Sequence, residues 1–364
     1  MGMGNPLLDI SANVGQDVLD KYGVQLDSAI LAEDKHMPLY QVLVDNYTPS
    51  FIAGGATQNS IRVAQWMSPK GTTAFMGCVG NDVYGKKLHD CASADGVLVH
   101  YMIDETTPTG TCAALIKDGE RALVANLAAA NNFQESHLET PQAKEIIEAA
   151  QFYYSAGFFL TVSVPSLVQV AEHALANNKV FCLNLSAPFI VDFFGDQLAT
   201  AMAYADFLFG NESEAAAYAT KHGLGDDLHQ VALAVSQMEK KGTRKRTVIF
   251  TQGSKSTIVA YDGVVTEYAV EPLEADKLVD TNGAGDAFVG GFLSQLIQNK
   301  SIEEAVKAGH WAAKQIIQTS GTQLPKTCDY STKEWKVNSV ETNHFTSSNV
   351  ALPHCAFLQT MINL

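Results

Sequence analysis

From residue 143 onward the chain alternates helical and extended patterns with little between them: a helix near 143–150, a strand at 152–156, a helix at 164–176 and a strand at 180–185. A helix near 193–204, a strand at 206–209 and a helix from Glu212 continue the series. Strands separated by helices are joined by right-handed crossovers and run parallel, which limits this half of the chain to an α/β fold with a mainly parallel central sheet flanked by helices. Ligands of such sheets bind beyond the carboxyl ends of the strands. The rule singles out residues 157–159, Asn184, residues 211–214 and residues 251–253, each directly after a strand.

Three glycine- or amide-rich stretches carry the candidate chemistry. In Asp280-Thr281-Asn282-Gly283-Ala284-Gly285-Asp286, three small residues stand where a helix should begin, so backbone N–H groups can approach an anion at the positive end of the helix dipole. Asp286 adds a negative charge beside that nest, which suits a carboxylate that removes a proton from an attacking hydroxyl. The bland alternative is an acidic residue favoured by the dipole, with glycines for close helix packing.

Gly54-Gly55-Ala56-Thr57-Gln58-Asn59 forms a second glycine-rich turn, followed by helical spacing over 61–67. It reads equally as a ligand-binding strand–turn–helix and as a plain capped helix. Asn211 and Glu214 lie three apart on one helix turn. They suit hydrated Mg²⁺ beside an anionic oxygen, and they also spell an ordinary capping box.

Elsewhere, a strand at 73–79 and a helix near 86–94 form a βα unit, and 13–32 mixes a short helix at 14–22 with extended segments. Residues 110–117 and 122–127 flank Asp118-Gly119, a hairpin signal, with Arg121 in the hairpin. Residues 256–261 and 264–270 flank Asp262-Gly263 in the same way. After Asp286, Phe288, Phe292, Leu296 and Ile297 recur at helical spacing, so one face of that helix is core. A long helix at 302–317 carries His310, read as a buried, hydrogen-bonded residue. The first strand, ending at 7–10, lies so near the start that part of it is expected to be missing. Gly2 and Gly4 make half of a GxGxxG, but Pro6 interrupts and the third glycine is absent, which rejects a dinucleotide fingerprint.

A chain of 364 residues suggests one large domain or two smaller ones. Its 24 Lys+Arg against 39 Asp+Glu leave a net charge of −15, which excludes a non-specific binder of nucleic acid or of an anionic membrane. The basic run at 240–246 is read as a solvated loop. An anionic substrate must therefore be met by helix N-termini, a metal ion and a few placed cations. Six scattered cysteines show no zinc spacing and are read as reduced thiols. The amino terminus lacks signal-peptide regions and no 18-residue apolar run occurs, so a soluble cytoplasmic protein is expected, with a nuclear pool allowed.

Taken together, the stretches at 54–59, 211–214 and 280–286 resemble the glycine motif, the NxxE motif and the catalytic signature of the ribokinase-like (PfkB) family of carbohydrate and nucleoside kinases. Residues 4–11, 125–131, 156–160 and 184–189 resemble its nucleoside-phosphorylating members, and the resemblance covers roughly residues 1–325. It implies a large α/β domain (1–12, 48–107 and 133–330) with a small discontinuous α/β lid (13–47 and 108–132). No role is assigned to the extension at 331–364. It also implies transfer of the γ-phosphate of ATP to the 5′-hydroxyl of adenosine, with Mg²⁺ required and K⁺ activation without assigned ligands.

In that reading Asp286 is the base, the Gly283, Ala284 and Gly285 amides stabilise the transferring phosphoryl group, and Arg121 adds a cation from the lid. Asn5, Asp9, Gly55 and Asn59 correspond to nucleoside-binding positions, with Asp9 and Asn59 on ribose hydroxyls and Phe158 stacked on the purine. Leu7, Leu31, Cys112, Leu123 and Ala125 supply apolar lining, and Asn282 lies between the two ligands. Asn184, Asn211, Thr251 and Gly253 fall on the ATP side, where Glu214 holds Mg²⁺ through water. Ala56 departs from the family pattern by replacing a serine. A monomer is expected.

Overall fold

The computed structural model describes residues 1–26, 28–117 and 120–330. Two sheets organise them. The larger has nine strands, running in space Val264–Tyr268, Lys255–Tyr261, Thr247–Gln252, Phe207–Asn211, Val180–Asn184, Phe152–Ala156, Gly2–Met3, Ala74–Gly80 and Leu98–Asp104. Thr247–Gln252 and the six strands after it in that order pair in parallel, and the two strands before it add an antiparallel edge. The parallel strands are buried along their length because helices cover both faces, as in Ala74–Gly80, where every residue is buried.

The smaller sheet has five strands in the order Ala29–Leu31, Glu120–Asn126, Thr111–Lys117, Leu7–Asn13 and Ser50–Gly54. Its two hairpin arms pair as the Asp-Gly signal implies, although Asp118 and Gly119 themselves lie outside the described residues. So do residues 331–364. The strand at 7–10 and the segment at 50–54, assigned by sequence to the large domain, belong to this smaller sheet. Pro6 carries no N–H and interrupts the ladder, so the chain leaves the large sheet after Met3 and re-pairs in the small one from Leu7.

The small sheet is two-faced. Leu8, Ile10, Ala113, Leu115, Ala122 and Val124 are buried, and most pack with the helices Gln16–Tyr22 and Met37–Asn46 in a core of their own. Their alternates, Leu7, Asp9, Cys112, Arg121 and Leu123, turn the other way, toward the large sheet.

Helix Ala284–Leu296 is more central than the spacing of its large residues suggested. Every residue from Ala287 to Leu296 is buried, because it lies against helices Ala56–Trp66 and Ile302–Ile316 as well as the sheet. Gly290 and Gly291 permit that approach: a Cβ on Gly290 would sit 2.5 Å from the Ser60 carbonyl oxygen, and one on Gly291 2.4 Å from that of Ala308. Phe292, fully buried against Phe207 and Phe209, contributes about 2–3 kcal/mol by burial. Its packing holds the amino end of the helix at the mouth of the parallel strands.

The helix expected over 193–204 is two, Pro188–Phe193 and Gly195–Met202. Met37–Asn46, Leu98–Asp104 and Leu228–Gln237 are elements the sequence reading left out. The basic run at 240–246 is a solvated loop only in part: Lys241 and Lys245 are exposed, while its other three cations turn inward. Arg246 is fully buried and donates to the carbonyls of Met202 and Val235, while Lys240 and Arg244 each pair with Asp206 at 3.0 Å. Carbonyls at helix ends lack intrahelical partners, and this run supplies the donors. His310 packs against Phe288 and is hydrogen-bonded to Thr257 at 2.8 Å as expected, but it is half-buried rather than buried. Among the described residues no helix is long and apolar enough to cross a membrane.

Candidate active site

One cavity of about 500 Å³ opens between the two sheets. Its roof is the free face of the small sheet: Leu7, Asp9 and Ser11 from one strand, Cys112 and Ala114 from the next, Arg121 and Leu123 from the third. Its floor comes from the carboxyl ends of parallel strands and the loops after them, with Phe158, Asn184, Asn211, Glu214 and Thr251. Adjacent strand ends are in register there, Asn184 beside Phe209 and Asn211 beside Thr251. The remaining wall is built by two helix amino termini, through Gly55, Ala56 and Asn59 and through Asn282, Gly283, Gly285 and Asp286.

Gly55 has φ +93°, and a Cβ there would stand 2.1 Å from the Asn5 carbonyl oxygen, so the turn into helix Ala56–Trp66 requires glycine. The turn aims Asn59 at the other helix. Its Nδ2 donates to Asp286 Oδ2 at 3.0 Å. Asp286 is half-buried, and desolvation raises its carboxyl to about 7; the Asn59 bond pulls it down, while the Asp9 and Glu214 carboxylates push it up. Asp9 is likewise raised to about 7, chiefly by burial, against the pull of Arg62 and Arg121. Glu214 also rises to about 7 by burial. Three carboxyl groups with proton affinities near neutrality thus face one cavity, a concentration characteristic of sites that move protons or bind cations.

Glu214 completes a capping box with Asn211: Asn211 Oδ1 accepts from the Glu214 amide at 2.9 Å, and Glu214 accepts from the Asn211 amide at 3.0 Å and from its Nδ2 at 2.9 Å. The structural reading of this pair therefore holds, and it does not displace the other, because both residues also line the cavity. Among the described residues no group of three or more His, Cys, Asp or Glu could hold a metal ion. Asn211 and Glu214 do bring side-chain oxygens to the cavity lining, the donor type that Mg²⁺ takes.

Of the expected anion nest, Gly283 and Gly285 line the cavity, while the Ala284 amide donates to the Thr281 carbonyl at 3.2 Å. Arg121 reaches the wall, but its guanidinium is held by Asp280 and by Ser320 Oγ. Asp280 was not singled out as a functional side chain, although it opens the signature. It also accepts from the Gly321 amide at 2.8 Å and the Asn282 amide at 2.9 Å, so it organises the loop before the helix.

Five expected positions stand back from the wall. Asn5 is buried, its Nδ2 on the Ala130 carbonyl at 3.3 Å and its Oδ1 without a partner among the described residues. Ala125 shares the face of Arg121 and Leu123 but lies farther along the strand, in register with Leu31, which is 65% exposed. Gly253 sits in the turn after Thr247–Gln252, and Ala284 lies behind its two glycine neighbours.

The pfkB family carbohydrate kinase model matches residues 19–328. Adenosine kinase 1 of Arabidopsis thaliana is 54% identical over 333 residues, covering 91% of this chain and 97% of that protein. A crystal structure of Anopheles gambiae adenosine kinase, in complex with P1,P4-di(adenosine-5) tetraphosphate, is 48% identical with a TM-score of 0.80, covering 88% of this chain and 95% of that one. Adenosine kinase from Schistosoma mansoni in complex with adenosine and AMP is 35% identical with a TM-score of 0.81, covering 90% and 98%.

Proposed function

This chain belongs to the pfkB family of carbohydrate kinases, and from that premise we propose that it transfers the γ-phosphate of ATP to the 5′-hydroxyl of adenosine, giving AMP and ADP. The substrate rests on relatives named adenosine kinase that match nearly the whole chain. The chemistry rests on one observation: Asp286, held by Asn59 at 3.0 Å, lines the same cavity as Asp9 and Glu214 and feels the charge of both.

Asp9 and Asn59 receive the ribose hydroxyls, Phe158 stacks on the purine, and Leu7, Cys112 and Leu123 exclude water around the base. The 5′-hydroxyl then meets Asp286, whose affinity near neutrality lets it accept the proton as the oxygen attacks phosphorus. The Gly283 and Gly285 amides, at the positive end of helix Ala284–Leu296, receive the charge on the transferring phosphoryl group. Asn184, Asn211 and Thr251 hold the nucleotide, and Glu214 would hold Mg²⁺ through water. When bound, that ion supplies neutralisation of β- and γ-phosphate charge. Arg121 joins it by leaving Asp280 for the phosphates. The five-stranded sheet acts as a lid over the reaction.

We take a monomer as the working unit. The described cysteines are free thiols, which supports the reducing cytoplasm as its compartment. A panel of adenosine, inosine, ribose and fructose with Mg-ATP tests the assignment. Adenosine should be turned over preferentially to AMP, and preferred turnover of a free sugar would overturn the substrate.

A further inference from the structure

Arg62 lies behind the cavity rather than on its wall. It sits one helical turn after Asn59 on helix Ala56–Trp66, with its side chain 4% exposed. Its Nε donates to Asp95 Oδ2 at 2.6 Å, and its Nη1 donates to the Ala53 carbonyl and to Asn59 Oδ1, the latter at 3.3 Å. The other end of the same amide, Asn59 Nδ2, donates to Asp286 Oδ2 at 3.0 Å. Asp95, itself 25% exposed, accepts at the far end, so a continuous line of hydrogen bonds links Asp95, Arg62, Asn59 and Asp286 from near the surface to the cavity.

The two ends of a carboxamide have nearly the same shape and opposite hydrogen-bonding character. Turned over, Asn59 would bring its carbonyl oxygen against a carboxylate, two acceptors facing each other, and the contact would survive only if Asp286 carried a proton. A buried cation on Oδ1 forbids that orientation. We propose that Arg62 is a positioning residue for the reaction, fixing the Asn59 amide so that its NH₂ end, and not its carbonyl, meets the Asp286 carboxylate. The role rests on the phosphoryl-transfer reading given above.

The groups that face Asp286 are Asp9 from the lid, Glu214 from helix Glu212–His222 and Tyr154 from the central strand Phe152–Ala156. Both carboxylates raise its proton affinity; the Asn59 bond opposes them. Arg62 is also the largest charge pulling the Asp9 carboxyl down. Losing Arg62 therefore acts on both carboxyl groups in the same direction.

The test compares the wild type with Arg62→Met, Arg62→Lys and Asp95→Asn, following kcat and KM for adenosine against pH and folding by thermal melting. In Arg62→Met the rising limb of the profile should move up by about one pH unit, and kcat at neutrality should fall about 10-fold with KM little changed. Arg62→Lys, which keeps a cation able to reach Asn59, should restore most of the loss, and Asp95→Asn should move the limb less in the same direction. A folded Arg62→Met enzyme with the wild-type profile overturns the proposal. If that variant does not fold, an unmoved profile in Asp95→Asn overturns it as well.

Carboxyl ¹³C NMR of Asp286 against pH gives a readout independent of turnover. A higher midpoint in the variants supports the relay, and equal midpoints sink it. A wild type that forms no AMP instead defeats the functional reading and leaves the NMR titration to judge Arg62.

Discussion

Arg121 and Asp280 form an ion pair across the cavity's edge: Arg121 comes from strand Glu120–Asn126 of the small sheet and Asp280 from the loop before helix Ala284–Leu296, their side chains 9% and 6% exposed. A cation on the cavity wall is thus held by a carboxylate from the loop that carries Asn282 and Gly283.

Removing one partner strands the other charge away from water. Arg121→Gln and Asp280→Asn should each lower stability by about 3–5 kcal/mol, and the double variant by less than the sum. Denaturant unfolding of the four proteins measures the coupling. Strict additivity would show that the pair does not interact in solution.

The base role proposed for Asp286 can be tested apart from binding. Asp286→Asn keeps the volume and the Asn59 contact but cannot take a proton. Turnover should fall on the order of 10²-fold or more, with adenosine still bound in a calorimetric titration. Near-native turnover would remove Asp286 from that role.

Stability should respond to pH through the same carboxyl. Its folded value of about 7 lies above the usual 3.8, so the folded state retains a proton that the unfolded state has lost between these limits. The stabilisation is complete below about 4 and disappears as pH rises through about 7. The melting temperature of the wild type, compared with Asp286→Asn, should therefore decline from pH 4 to 7. A flat difference across that window would refute the desolvated, proton-retaining carboxyl.

Gly285 lies in helix Ala284–Leu296, and a Cβ added there meets nothing within 4 Å. Gly285→Ala should leave stability unchanged or raise it by about 0.5–1 kcal/mol, as for any helical glycine. Turnover should drop on the order of tenfold or more, because the methyl group stands where the phosphoryl group must approach the amides. Full activity in a folded Gly285→Ala enzyme would place the phosphate elsewhere.

Much of this architecture is local information. Strand Phe152–Ala156 and helix Val164–Ala176 appear where apolar runs and 3.6-residue spacing put them, and Asp82 caps helix Val83–Ala94 through the Gly85 amide at 2.8 Å. Edge strand Leu98–Asp104 escaped because it leaves Leu98 and Ile103 half exposed, which blurs its pattern. The basic run at 240–246 misled for another reason. Whether a lysine or arginine is solvated depends on which carbonyls and carboxylates lie nearby, and here Asp206 and the ends of two helices lie beside it.

The sequence by itself determined the reactive elements: Gly283, Gly285 and Asp286 at one helix start, Gly55 and Asn59 at another, and Asn211 with Glu214 at a third, since each set is spaced within a single turn. Only the tertiary structure decided what those elements do to one another. It put Asn59 on Asp286 across 227 positions and Arg121 on Asp280 across 159, paired Leu7–Asn13 into the smaller sheet, and brought Asp9, Glu214 and Asp286 close enough for burial to raise all three. Turn and capping chemistry acts over a few residues and can be read along the chain. Proton affinity and charge pairing depend on dielectric and distance, which exist only once the two sheets have met.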